Sequence, residues 1–423
     1  MSNLHMLDPY AGNILTQGLG PILSRMETAK ALTELPKRLH SMDGIPPHIA
    51  MHHLMAIRDF HIPGVEECRL HQTNDLMIRQ NYRYLDPTVA ATWATVSGDR
   101  VAYSHSRAPA YSGAVVGHSG TGKTEGVLRC LRIYPQQVIQ HGSFPRMVGP
   151  HKQVVWLSIN VPASGRTVDL GTDLMRESDR VTGENRFASE LSKERRDGMK
   201  MLDSWRQWAT SHLLGLLHLD EVQNLFKLAT LKKRRTRSGV PSEAPELSIV
   251  EDQFLKWILI LMNTWHVPLL LSGTPDGIGA LTRRLSTTER IVTSGYHVFQ
   301  HFDSVTDSNY RKNFLEQLGK YQYVQKKLPV DDELANLILE LTGGIQRLIV
   351  ALWIAAHRVA LERNDGSLTL NDFRMAAATY LAAVAPAVAA FRSKDPVKMA
   401  RYEDLLPRND AMWSQFWGSV SQI

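Results

Sequence analysis

Gly117, Gly122, Lys123 and Thr124 stand in the spacing G-x-x-x-x-G-K-[ST] inside "VVGHSGTGKTEG", residues 115–126. Glycines at those positions let consecutive backbone N–H groups converge on phosphate oxygens, and a helix that follows presents its positive end to the same anion. The run Gly117, His118, Ser119, Gly120, Thr121, Gly122, Lys123, Thr124 and Glu125 is therefore the expected nucleotide-binding stretch. In that reading Lys123 reaches the β and γ phosphates, and Thr124 offers its hydroxyl to a magnesium ion. The plain alternative is a glycine-rich turn that happens to carry Lys-Thr.

A second set of residues would complete the chemistry. "LLGLLHLDE" ends an apolar run in Asp220, a carboxylate suited to hold magnesium through water, with Glu221 beside it. A carboxylate at 221 can polarise an attacking water, which favours hydrolysis over binding alone; a salt-bridged surface glutamate is the competing reading. "VPLLLSGTPDG" ends a third run in Ser272 and Thr274, whose hydroxyls could orient the water or contact the γ-phosphate, although a turn before Pro275 explains Thr274 equally well.

The elements that must position these residues follow from the hydrophobic pattern. "GAVVG", "QVVWLSINV", "LLGLLHLD" and "VPLLLSG" are short apolar runs that alternate with helical stretches, the signature of buried parallel strands in an α/β core. The sequence predicts this core over 106–305, with the nucleotide motif placed between a strand and a helix. Before it, residues 1–105 read as a mostly helical N-terminal accessory region. Leu70, Met77, Ile78 and Tyr82 recur there at the spacing of one amphipathic helix. After it, "DDELANLILELTGG", "IQRLIVALWIAAHRVALER" and "LNDFRMAAATYLAA" predict three helices of a lid over 306–392, with Gly343 and Gly344 between the first two. Residues 393–423 form a short C-terminal tail.

The 423 residues favour two or three compact units, and 43% hydrophobic with 21% charged residues excludes a mostly disordered or collagen-like chain. A net charge of +6 permits an anionic partner without establishing one. Cys68 and Cys130 are too few for a disulfide framework or a cysteine-rich zinc site, which fits a reducing compartment. "MSNLHMLDPYAG" lacks the basic patch and apolar run of a signal peptide, so no export is expected. The alanine-rich run 375–391 is short for a bilayer and holds Pro386, and is expected to be packed helix with no membrane involved.

Three further groups invite binding hypotheses. Lys232, Lys233, Arg234, Arg235 and Arg237 could each neutralise a DNA phosphate, or form a solvated loop, with Arg195 and Arg196 weaker candidates on the same logic. Trp413, Phe416 and Trp417 fall on one helical face, suited to docking on a partner or packing back on the lid. His48 and His52 are one helical turn apart, but no thiol or carboxylate stands at a fixed spacing from them, and ordinary histidines are preferred to zinc ligands.

Taken in order, "GHSGTGKT", "LSINVPASGRT", "LDEVQNL", "LLLSGTPD" and "LTGGIQRL" resemble the AAA+ ATPases, and among them the TnsC and TniB group of transposition regulators. The segment "LTGGIQR" is also similar to the ABC signature, but that signature precedes the acid strand and this segment follows it. The AAA+ resemblance implies a P-loop NTPase core with a helical lid, ATP and Mg2+ as cofactors, and a cytoplasmic, DNA-associated protein. It also implies a lid arginine, matched by Arg347, and an arginine finger supplied by a neighbouring subunit, with Arg290 first and Arg283 or Arg284 second. The partners it implies are duplex DNA, transposase subunits, a target-selection protein and further copies of the chain, in a ring or filament of about six or seven subunits per turn. Helicase loaders and initiators are looser kin, and a nucleotide-gated protein scaffold is the reading of another class. An initiator would normally carry a winged-helix domain after the lid, for which too few residues remain.

Overall fold

The computed structural model describes residues 8–39, 41–90, 92–93, 111–225, 249–263, 265–282, 293–393, 395 and 398. They fall into two compact units. The first takes its residues from Met1–Thr28, Val65–Val116 and Lys123–Val298, and the second from Ala29–Gly64, Gly117–Gly122 and Phe299–Ile423.

The first unit is built on a five-stranded sheet. Its strands are β1 (Ser112–Gly117), β4 (Trp156–Asn160), β5 (Leu216–Asp220), β6 (Leu269–Gly273) and β7 (Gly295–Phe299), in the order β4-β5-β6-β1-β7. β4 pairs with β5, β5 with β6, and β1 with β6, all in parallel. Every residue of β1, β5 and β6 is buried, as expected for strands covered on both faces. Helices α1 (Val65–Tyr84), α2 (Lys123–Arg132), α3 (Thr167–Thr182), α4 (Gly198–Ser211), α5 (Ile249–Asn263) and α6 (Pro275–Thr282) belong to this unit. Its apolar core joins Leu217, Leu219, Leu269 and Leu271 of the sheet to Trp205 and Trp208 of α4.

The single apolar run "QVVWLSINV" becomes two strands. β3 (His151–Val154) pairs antiparallel with β2 (Val138–His141), whereas β4 joins the parallel sheet. Between them Val155 donates its N–H to the Gln137 carbonyl at 2.8 Å. Hydrophobic periodicity registers burial and not the identity of the partner strand, so the switch of sheet leaves no mark in the pattern. The charged stretch 184–200 folds as a short helix, Ala188–Leu191, followed by the start of α4. The Asp197 side chain caps α4 by accepting from the N–H groups of Met199 and Lys200.

The second unit is helical. α7 (Asp332–Thr342), α8 (Gln346–Arg363), α9 (Leu370–Thr379) and α10 (Ala385–Arg392) surround a core that includes Trp353, Phe373 and Phe391. Gly343 ends α7 in the left-handed conformation, with φ 61°. The alanine-rich run is not one helix: α9 and the helical segment Ala382–Arg392 are bent by 72°, and Pro386 lies in the first turn of α10. Among the described residues no single helix is long and apolar enough to cross a membrane.

The described residues before 94 divide between the two units. α1 packs with the sheet unit, where the Tyr82 hydroxyl donates to the Val154 carbonyl at 3.3 Å. Leu54, Ile57 and Phe60 join the helical core instead, and the Phe60 ring meets Phe314 at 5.5 Å and Tyr321 at 5.7 Å between centroids. Each segment is placed by the core that covers its apolar face.

Candidate nucleotide site

The loop 117–122 leaves β1 and leads directly into α2, whose first residues are Lys123 and Thr124. Gly120 and Gly122 take φ of 84° and 89°, values that favour glycine. At Gly117 the constraint is space: a Cβ would lie 2.7 Å from the Thr121 hydroxyl oxygen and would also meet the Phe299 carbonyl. Thr121 closes the loop on itself by donating its hydroxyl to the His118 carbonyl at 2.8 Å. The strand, the glycine-bearing turn and the helix start form the chain path that the phosphate motif requires.

On the sheet, Asp220 ends β5 and is 2% exposed. Its Oδ2 accepts from the Thr124 hydroxyl at 2.6 Å, and its Oδ1 accepts from both the Ser272 hydroxyl and the Glu221 N–H, the latter at 2.9 Å. Carboxylate and hydroxyl are the hard oxygen donors that magnesium takes, so Thr124 and Asp220 fit that ion.

Behind Asp220 lies His218. Side chains alternate along a strand, so His218 and Asp220 share a face of β5. Register places Ser158 of β4 beside His218, and Asn160 beside Asp220. His218 Nδ1 is 2.8 Å from the Ser158 hydroxyl and Nε2 is 2.8 Å from the Ser272 hydroxyl. Burial pushes His218 down to about 4, against the opposing pull of Asp220, so the ring is neutral at pH 7. Valence then sets the direction of the bonds. Ser272 gives its single proton to the carboxylate, so His218 must donate Nε2–H to Ser272, and Ser158 must donate to Nδ1. The result is a buried relay from Ser158 through His218 and Ser272 to Asp220.

Glu221 is held differently. It lies past the end of β5 with φ 57°, a left-handed backbone unusual for a side-chain-bearing residue and worth about 1 kcal/mol or more of strain. A one-turn 3-10 helix, Val222–Leu225, follows and is anchored by buried Val222 and Leu225. Gln223 on that turn donates its amide to the Glu221 carboxylate.

The other expected site residues are placed as follows. Ser272 is committed to Asp220 and His218. The Thr274 hydroxyl accepts the Gly277 N–H at 3.4 Å in the first turn of α6. Arg347 is the second residue of α8 in the helical unit. Arg196 donates to the Thr172 hydroxyl at 3.0 Å. Arg283, Arg284, Arg290, Lys232, Lys233, Arg234, Arg235, Arg237, Trp413, Phe416 and Trp417 lie outside the described residues. The sequence motifs do not mark His218, Ser158 or Gln223. A histidine two residues before the acid, inside an otherwise apolar strand, was the available signal for the first of them.

Residues 107–281 match the family model described as AAA domain. No curated protein sequence matches the chain. Among solved structures the chain is similar to Drosophila ORC bound to DNA, at 13% identity and a TM-score of 0.38, with 97% of this chain and 90% of that one covered. It is also similar to the Aeropyrum pernix ORC2 protein in ADPNP–ADP complexes, at 12% identity and a TM-score of 0.42, with 93% and 89% covered. Over residues 107–281 the chain is thus similar to AAA domains, and it carries the parallel sheet, flanking helices and helical regions of an α/β P-loop NTPase.

Proposed function

We propose that this protein is an ATP-hydrolysing AAA+ switch that assembles on duplex DNA and regulates transposition, linking target-site selection to a transposase. The observation that carries the hydrolytic part is the meeting of Thr124 and Asp220 at 2.6 Å, with Glu221 next in the chain. Lys123 and the loop N–H groups bind the phosphates, and Glu221 takes a proton from the attacking water. Thr124 and Asp220 hold magnesium, which neutralises charge on the phosphates when bound. Arg347, and Arg290 of a neighbouring copy, add positive charge against the charge that develops on the γ-phosphate.

The transposition reading rests on the ordered likeness of five motifs to the TnsC and TniB group, and the DNA reading on the basic cluster 232–237. In this account the ATP state holds the DNA complex and hydrolysis releases it.

The test is duplex-DNA binding in ATP, ADP and a slowly hydrolysed analogue, with particles viewed by electron microscopy. Rings or filaments on DNA in the triphosphate states alone are expected, and Glu221→Gln should make the ATP complex persist. Neutralising Lys232, Lys233, Arg234, Arg235 and Arg237 together should weaken binding and flatten its salt dependence by up to about 4.5 units of slope on B-DNA. Unchanged affinity and slope would overturn the assignment of those residues. Absence of DNA binding in every nucleotide state would favour a protein-binding scaffold.

A further inference from the structure

We propose that Gln223 is a positioning residue for hydrolysis, setting the Glu221 carboxylate from the start of α6; the inference rests on the proposed role of Glu221 as base. Both ends of the Gln223 amide are engaged. Its Oε1 accepts the Thr274 N–H at 3.3 Å, and its Nε2 donates to Glu221 Oε2. The first bond orients the second, because an amide whose oxygen faces a backbone N–H turns its NH2 group to the other side.

Two glycines make the seat. A Cβ on Gly273 would lie 2.8 Å from Gln223 Oε1, and one on Gly277 would lie 2.7 Å from Gln223 Cβ and 2.9 Å from its Cα. Only residues without a side chain at the end of β6 and in the first turn of α6 let the 3-10 turn approach this closely. Gly277, in the first turn of α6, is explained by the approach of Gln223.

The mechanical consequence is direct. Thr274 both donates its N–H to Gln223 and caps α6 through its hydroxyl, so a shift of that helix start pulls on the amide that holds Glu221. In the chain α6 ends at Thr282, immediately before 283–292, the stretch holding the proposed finger arginines.

Gln223→Glu tests this with little change of shape. It retains an oxygen for the Thr274 N–H, removes the donor to Glu221 and sets a second carboxylate beside the first. Turnover should fall about ten-fold or more, while the KM for ATP and the affinity for a non-hydrolysed analogue stay within about two-fold of wild type. In a Glu221→Gln background the same substitution should cause no further loss, because Gln223 acts through Glu221. Gln223→Met keeps the length and the packing without either bond, and serves if Gln223→Glu lowers the thermal midpoint; it too should reduce kcat and leave KM unchanged. Wild-type kcat in the folded variant, or a loss that adds fully to that of Glu221→Gln, would overturn the inference. Absence of ATP turnover by the wild-type protein, or full turnover by Glu221→Gln, would instead overturn the reading of Glu221 on which it rests.

Discussion

Two neighbouring carboxylates are fixed by different means. Asp220 is the last residue of a fully buried strand, and its side chain accepts from Thr124, Ser272 and the next backbone N–H. Its position follows from strand register, and the relay through His218 and Ser158 extends that register across β4, β5 and β6. Glu221 has left the sheet, carries a left-handed backbone and is set by Gln223 from a turn. The sheet supplies a rigid point for charge, whereas the turn supplies a point whose position can be changed by the helix that follows β6. The proposed ATP switch needs both, because binding the phosphates and cleaving them must be separable.

Breaking the Asp220 side should have the largest effect on stability. Asp220→Ala leaves the buried Ser272 and its relay without an acceptor and is expected to cost about 3 kcal/mol in chemical denaturation, with nucleotide-dependent turnover lost as well. A cost below about 1 kcal/mol would show that the relay is not a structural unit.

Acid should expose the same asymmetry. His218 titrates at about 4 in the folded chain, below the ordinary 6.5, so the unfolded chain binds a proton that the folded chain refuses. Its contribution is therefore neutral well above 6.5, and stability falls as pH drops from 6.5 toward 4. His357 and His151, also pushed to about 4 by burial, act in the same direction. His218→Phe should remove its share of that slope, while lowering stability at pH 7 by about 2 kcal/mol through the partners left to Ser158 and Ser272. Denaturation curves at several pH values would read both effects.

Glu221→Gly should have the smallest effect, and of opposite sign. Relief of the left-handed backbone is expected to raise stability by about 1 kcal/mol even as hydrolysis is lost. A fall in the unfolding midpoint would mean that the Glu221 side chain holds the turn together rather than being set by it.

What the sequence discloses follows the distance over which each feature is encoded. The phosphate motif is contiguous, and the loop between β1 and α2 needs only its own glycines, so it can be read directly. Asp220 is readable because an apolar strand ending in an acid is also local. His218 was available through its place two residues before Asp220 in "LLHLD". Gln223 was not, because its role depends on Gly273 and Gly277, which approach it only after β5 and β6 have paired. The division of the described residues before 94 between two cores is hidden for the same reason: an amphipathic helix declares that one face is covered and does not say by what.

The most direct test of the account is ATP turnover and analogue binding by the wild-type protein and by Glu221→Gln, measured side by side. The account predicts wild-type hydrolysis, a loss of at least about 100-fold in the variant, and analogue affinity that is unchanged. Hydrolysis that survives the substitution, or a loss of nucleotide binding as large as the loss of turnover, would contradict the assignment of separate tasks to Asp220 and Glu221.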